Sequence, residues 1–183
     1  LSDAPQRGLG LDAGGSRTRW ALADATGQTL AQGEVAGMSG LQMQSDAGRA
    51  ALRATVQSLA QALVANGPIA NLGLYGGFTG LGGPSEEADM LALLQDHLPL
   101  APGRATLTHD MDIAYRAAYA PGEGYLVYAG TGSIAAFIDA QGRTLRAGGR
   151  GPALGDEGAG YWIAREALAW VWHQEDRRPG AYQ

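Results

Sequence analysis

Apolar positions alternate with small or polar ones at Leu9 and Leu11, again at Trp20 and Leu22, and through the segment Thr29–Val35. A period of two marks strands with one buried face. Ala25-Thr26-Gly27-Gln28 reads as the hairpin turn between the second and third, so three antiparallel strands are expected first. From Leu41 to Val64 the spacing changes. Leu52, Val56, Leu59 and Leu63 recur three and four apart and Asn66-Gly67-Pro68 stops the run, which predicts one long helix. Beyond it the pattern predicts a strand at Ile69–Tyr75, a helix at Glu86–Leu98, a strand at Ala105–Thr108 and a helix at Met111–Tyr119, ended by Pro121-Gly122. The predicted order is βββαβαβα.

The pattern then restarts. Placing Asp24 over Asp139, a shift of 115 residues, aligns LADATGQTL with FIDAQGRTL and also lays AGGSRT over YAGTGS. One shift that superposes two glycine-hydroxyl loops indicates two equivalent lobes. In the second, strands are expected at Tyr125–Ala129, Ser133–Asp139 and Arg143–Ala147, and a helix at Ala159–Trp172. The expected division is a complete first lobe, 1–121, and a second, 122–183, of which only about half is present.

Composition narrows the function. Of the 183 residues 45% are apolar, sufficient for a core. The net charge is −5 and the 13 basic residues are dispersed, which argues against nucleic acid or an anionic membrane as partner and favours a small molecule. The absence of cysteine removes thiolate metal sites, Fe–S clusters and a cysteine nucleophile. No apolar run approaches the ~18 residues that would span a bilayer, and LSDAPQRG lacks a signal-peptide pattern. A soluble cytoplasmic protein is expected. The Leu1 start and the polar DRRPGAYQ end suggest a piece of a longer product.

The candidate chemistry lies in the glycine loops. Backbone N–H groups of a glycine-rich turn approach phosphate closely, and adjacent hydroxyls add donors. Neither the P-loop pattern nor a GxGxxG between strand and helix is present. Alone, each loop is more simply a hairpin turn; as a related pair they favour phosphate binding. Asp12, whose counterpart under the 115-residue shift is Val127, is either a turn aspartate or a carboxylate that faces phosphate through Mg²⁺ and its water. Arg17 and Arg19 either add charge there or face solvent from an edge strand. In THDMD, Asp110 stands where a strand meets a helix: as an N-cap, or as a base accepting a hydroxyl proton at the carboxyl end of a strand. Asp112 is the weaker candidate, and His97, His109 and His173 read as structural or solvated. In GPALGDEGAGYW four glycines surround Asp156 and Glu157, which either cap the next helix or receive sugar hydroxyls. YGGFTGLGG (75–83) is a ligand loop or a flexible turn.

In the order LDAGGSRTR, THDMDIAYRAAY, YAGTGSIAAFID and GGRGPALGDEGAGYWIAREAL, these motifs resemble the BadF/BadG/BcrA/BcrD ATPase family, within it the N-acetylglucosamine kinase-like branch of the sugar kinase, actin and Hsp70 superfamily. The resemblance implies an α/β protein of the actin-like ATPase fold, with ribonuclease-H-like lobes. It implies ATP and Mg²⁺ as cofactors and phosphoryl transfer to N-acetylglucosamine, glucosamine or a related sugar. By similarity Gly14, Gly15, Ser16 and Thr18 form the first phosphate motif, Asp12 stands near Mg²⁺, and Gly130, Thr131, Gly132 and Ser133 form the second phosphate motif. Asp110 matches the catalytic aspartate and also meets the sugar; Gly155, Asp156 and Glu157 belong to the sugar site. The expected partners are the sugar and, as a homodimer, a second copy of the chain. Arg150 replaces a tryptophan common in the family and Gly40 an asparagine, with Ser39 next to it, so the sugar is left open. A non-catalytic nucleotide or sugar sensor is the alternative. The family's dehydratase activators need cysteine-held Fe–S clusters, which this chain has no residue to bind.

Overall fold

The computed structural model describes residues 7–180. The LSDAPQ start, read above for its lack of a leader pattern, and the AYQ that closes the polar tail lie outside the described residues. Two compact units divide between Ile113 and Ala114.

The first unit is built on β1 (Arg7–Ala13), β2 (Arg17–Asp24), β3 (Thr29–Ala36), β4 (Leu72–Phe78) and β5 (Leu100–His109), lying side by side in the order β3-β2-β1-β4-β5. The first three strands are antiparallel, while β1, β4 and β5 are mutually parallel. Alternation along β1 sends Leu9, Leu11 and Ala13 to one face and leaves Gly8 and Asp12 exposed on the other. Onto the apolar face pack α1 (Asp46–Ala65), through Leu52, Val56, Leu59 and Leu63, and α2 (Pro84–Gln95), through Met90 and Leu94. Full burial of such a side chain contributes about 1.5–3 kcal/mol. The opposite face meets the start of α3 (Asp110–Ala118), where an added Cβ on Gly77 would lie 2.6 Å from Ile113.

Three expectations shift. The predicted long helix is broken: residues 40–44 form a 3-10 turn, Ser45 is extended, and its hydroxyl accepts the Gly48 N–H at 3.1 Å to start α1. The fourth strand begins only at Leu72, because Asn71 takes a left-handed φ of 52° and turns the chain first. β2 is not an edge strand, since β3 covers its far side, yet Arg17 and Arg19 remain exposed, with side chains 60% and 64% accessible, while they pair with Glu34 on β3.

The second unit holds β6 (Leu126–Ala129), β7 (Ser133–Ile138), β8 (Thr144–Gly148) and α4 (Gly160–Arg177), with the strands antiparallel in that order. Its core is small and aromatic. Tyr115 is fully buried, its hydroxyl donates to the Gly124 carbonyl at 2.8 Å, and its ring meets Phe137 edge-on. No residue of α4 is buried; Ile163, Leu168, Trp170 and Trp172 are all more than half exposed. Among the described residues no helix is long and apolar enough to cross a membrane.

Candidate active site

Parallel strands β1, β4 and β5 stop at the same end of the sheet, and two of the carboxylates singled out in the sequence, Asp12 and Asp110, stand there. Asp12 is flanked in register by Arg19 on β2 and Gly77 on β4, and Gly77 by Thr108 on β5. Two strand spacings therefore separate the Asp12 and Thr108 backbones, roughly 10 Å. Half of the Asp12 side chain is exposed, and its closest cation, Arg19, is a loose 3.9 Å away. Arg19 and Arg17 are engaged instead by Glu34, at 3.3 and 3.2 Å. The hydrogen bond from Arg19, with the charge of Arg17 added, holds Glu34 below the usual carboxylate range. Asp12 is thus left facing outward with capacity for a further cation. Among the described residues no group of three or more His, Asp or Glu surrounds a metal position. A lone carboxylate does suit Mg²⁺, which retains several waters and takes one or two protein carboxylates.

Asp110, the first residue of α3, is half-buried. Its Oδ1 accepts the Met111 N–H at 2.8 Å and its Oδ2 accepts the Thr79 hydroxyl at 2.7 Å. A carboxylate offers about four acceptor positions, so both oxygens keep capacity for another donor. Asp112 is buried and takes the Tyr75 hydroxyl, which commits it to holding α3 against β4.

The first glycine turn joins β1 to β2. Gly14 N–H donates to the Arg17 carbonyl at 3.1 Å, while among the described residues no hydrogen bond engages the N–H groups of Gly15 and Ser16. Both residues are exposed. Thr18 has a different place from its companions: it is fully buried, and its hydroxyl accepts the Met38 N–H at 3.0 Å, so it secures the turn from below. Gly37 does the same by being small, for a Cβ there would fall 2.1 Å from the Gly15 carbonyl oxygen.

In the second unit Ala129 pairs with Ser133, so three residues, Gly130, Thr131 and Gly132, make the turn; in the first, Ala13 pairs with Thr18 around four. The strands before the turns are consequently displaced by one residue from the 115-residue shift. The counterpart of Asp12 is Tyr128, which pairs with Ile134 as Asp12 pairs with Arg19, and not Val127. The Gly130 N–H is bonded to the Gly132 carbonyl at 2.9 Å and the Ser133 N–H to Asp156 Oδ1 at 3.3 Å, while among the described residues no hydrogen bond engages the N–H groups of Thr131 and Gly132. The N–H of Gly160, first in α4, donates to the Gly130 carbonyl at 2.9 Å. Asp156 is buried with a left-handed φ of 60°, an uncommon conformation for a residue with a side chain, and it lies against Gly132. Glu157 is exposed and Gly155 lies against Arg150. The Asp156 carboxylate therefore reaches the second glycine turn, a contact the residue order did not indicate.

Sequence reasoning missed two residues outright. Gly37 stands three residues before Gly40 and was passed over for it, and Thr79 sits in the loop left open between ligand contact and flexible turn. The only signal was the density of glycines in that loop.

Five strands in this order with their helices, followed by a second unit that repeats the opening hairpins, make the mixed α/β fold of the actin-like ATPases. The chain belongs to the BadF/BadG/BcrA/BcrD ATPase family, whose sequence model matches residues 9–180. It is similar to the candidate N-acetylglucosamine kinases of Chromobacterium violaceum (TM-score 0.64, 25% identity, 96% of this chain and 60% of that one) and Porphyromonas gingivalis (TM-score 0.65, 27% identity, 95% and 58%). An N-acetylmuramic acid/N-acetylglucosamine kinase of Clostridium acetobutylicum is 37% identical over 76 residues, covering 42% of this chain and 25% of that enzyme. The chain thus corresponds to about three-fifths of the length of the solved structures.

Proposed function

We propose that this chain supplies the phosphate turns and the general base of an ATP-dependent sugar kinase, acting on N-acetylglucosamine, glucosamine or a related sugar. In this reading residues 1–121 are the first lobe and 122–183 part of the second. The observation that carries it is the carboxylate of Asp110, held by two donors at the carboxyl edge shared with Asp12 and the first glycine turn. Membership of the family and likeness to N-acetylglucosamine kinases support the substrate class.

A sugar hydroxyl donates to Asp110, and its proton passes to the carboxylate as the oxygen forms a bond to the γ-phosphorus of ATP. The bond from that phosphorus to the β–γ bridging oxygen breaks, and ADP leaves with its electron pair. Each unit, taken by itself, offers backbone N–H groups suited to phosphate oxygens: Gly15 and Ser16 in the first, Thr131 and Gly132 in the second. Asp12 would hold Mg²⁺ through its water, and the ion would neutralise phosphate charge. Of the two acids assigned by resemblance to the sugar site, Glu157 is exposed and free to receive a sugar hydroxyl, while Asp156 is buried and shapes the second glycine turn. Arg150 and Gly40 depart from the family pattern and leave the particular sugar open; at position 40 an added Cβ would fall 2.2 Å from the Gly80 carbonyl oxygen, so no side chain fits there.

The test is ADP release by the full-length protein with Mg²⁺-ATP and a panel of sugars, beside Asp110→Asn. Sugar-dependent turnover that falls by about 10²–10⁴ in the variant, with ATP binding retained, is expected. Equal rates would remove Asp110 from the role of base. ATP binding without sugar-dependent turnover would make the protein a sensor.

A further inference from the structure

We propose that Thr79 is the positioning residue for Asp110, an inference that rests on the kinase reading above. Thr79 is the first residue beyond β4, and its backbone is pinned from two sides. Its N–H donates to the carbonyl of Ala13, the last residue of β1 before the first glycine turn, at 2.9 Å. Its carbonyl accepts the Gly40 N–H at 3.0 Å. Behind it the Gly80 backbone takes a left-handed φ of 67° and lies so close to Gly40 that a Cβ there would fall 2.2 Å from the Gly80 carbonyl oxygen. The Thr79 hydroxyl, carried on this fixed backbone, donates to Asp110 Oδ2 at 2.7 Å.

This arrangement answers a need specific to a carboxylate base. Rotation about the terminal bond of an aspartate is broad and roughly two-fold, and the Met111 N–H holds only Oδ1. A second donor on Oδ2 fixes the carboxylate plane, as productive proton transfer requires within about 10–20°. The backbone bonds of Thr79 also connect that plane to the start of the phosphate turn and to Gly40. One residue therefore registers the base, the first glycine turn and the buried Gly40 backbone against one another. It is a loop residue whose hydroxyl bonds a carboxylate rather than its own backbone, which is the more usual use of threonine in a turn.

The experiment compares Thr79→Val, which keeps the shape and removes the donor, with Thr79→Ser, which keeps the donor, in the full-length protein. Steady-state ADP release with the best sugar of the panel gives kcat and both KM values, and thermal unfolding is followed alongside. Thr79→Val is expected to lower kcat by about 10- to 100-fold, the worth of one hydrogen bond to a charged group, with KM for ATP and the melting temperature unchanged. Thr79→Ser is expected to recover kcat to within a few-fold of the native rate. Native-like kcat in Thr79→Val, or a loss that serine does not rescue and that follows the melting temperature, overturns the role while leaving the kinase reading intact. A native protein with no sugar-dependent turnover overturns the kinase reading and this role with it.

Discussion

The hairpins β2–β3 and β7–β8 make the same turn, whereas β1–β2 and β6–β7, one strand earlier, do not. At Asp24 the side chain accepts the N–H groups of Thr26 and Gln28 at 2.8 and 3.1 Å, and Gly27 supplies a φ of 85°. Asp139 accepts those of Gln141 and Arg143, both at 2.9 Å, and Gly142 supplies 81°. These are all bonds within five residues, so the same short string folds alike in two surroundings. The glycine turns differ in length and in support. The first rests on buried Gly37 and Thr18; the second rests on the N-terminal residue of α4 and on the Asp156 carboxylate. A locally closed turn is portable, while a turn left open for a ligand takes its shape from whatever packs beneath it.

The largest test of this difference in support concerns the cores. In the 183-residue chain Leu59→Ala, under the first sheet, is expected to cost about 2–5 kcal/mol by urea unfolding. Leu168→Ala, 60% exposed on α4, should stay within about 0.5 kcal/mol. Equal costs would show that α4 is packed as tightly as α1. Gly37→Ala comes next. Its new methyl has only the Gly14 and Gly15 backbone to displace, so about 1–3 kcal/mol of stability is expected to be lost. Gly130→Ala, which meets only the far end of the exposed Tyr128 side chain, should leave the melting temperature near native. The reverse ranking would mean that the second turn is the buttressed one.

The smallest effect separates the shared turns. Hydrogen bonds hold both aspartates below the usual range, the Thr26 side chain foremost at Asp24 and the Arg143 N–H foremost at Asp139. A depressed carboxylate contributes stability that is present above its unfolded pKa of about 3.9 and lost as pH falls through the lower folded value. Melting followed from about pH 5 to pH 3 should fall less steeply in the double variant Asp24→Asn, Asp139→Asn than in the native chain. Parallel curves would remove the two turns from the acid response.

Much of the fold was legible because its signals are local or periodic. Alternation at Leu9, Leu11, Trp20 and Leu22, helical spacing from Leu52 to Leu63, and the repeated aspartate turns each depend on residues near in sequence, and they appear as expected. The break at Ser45 and the late start of β4 were less legible, since a cap and a single left-handed Asn71 override the apolar pattern. Of the candidate site, the sequence alone determined the positions of Asp12, Asp110 and the glycine turns at strand ends. Tertiary structure decided what each side chain does there: that Thr18 is buried, that Asp156 reaches Ser133, and that Thr79 holds Asp110 across 31 residues of chain. Such pairings arise from strand order and from the absence of a Cβ at Gly37, Gly40 and Gly77, and close approach between distant segments leaves no periodic trace in a sequence.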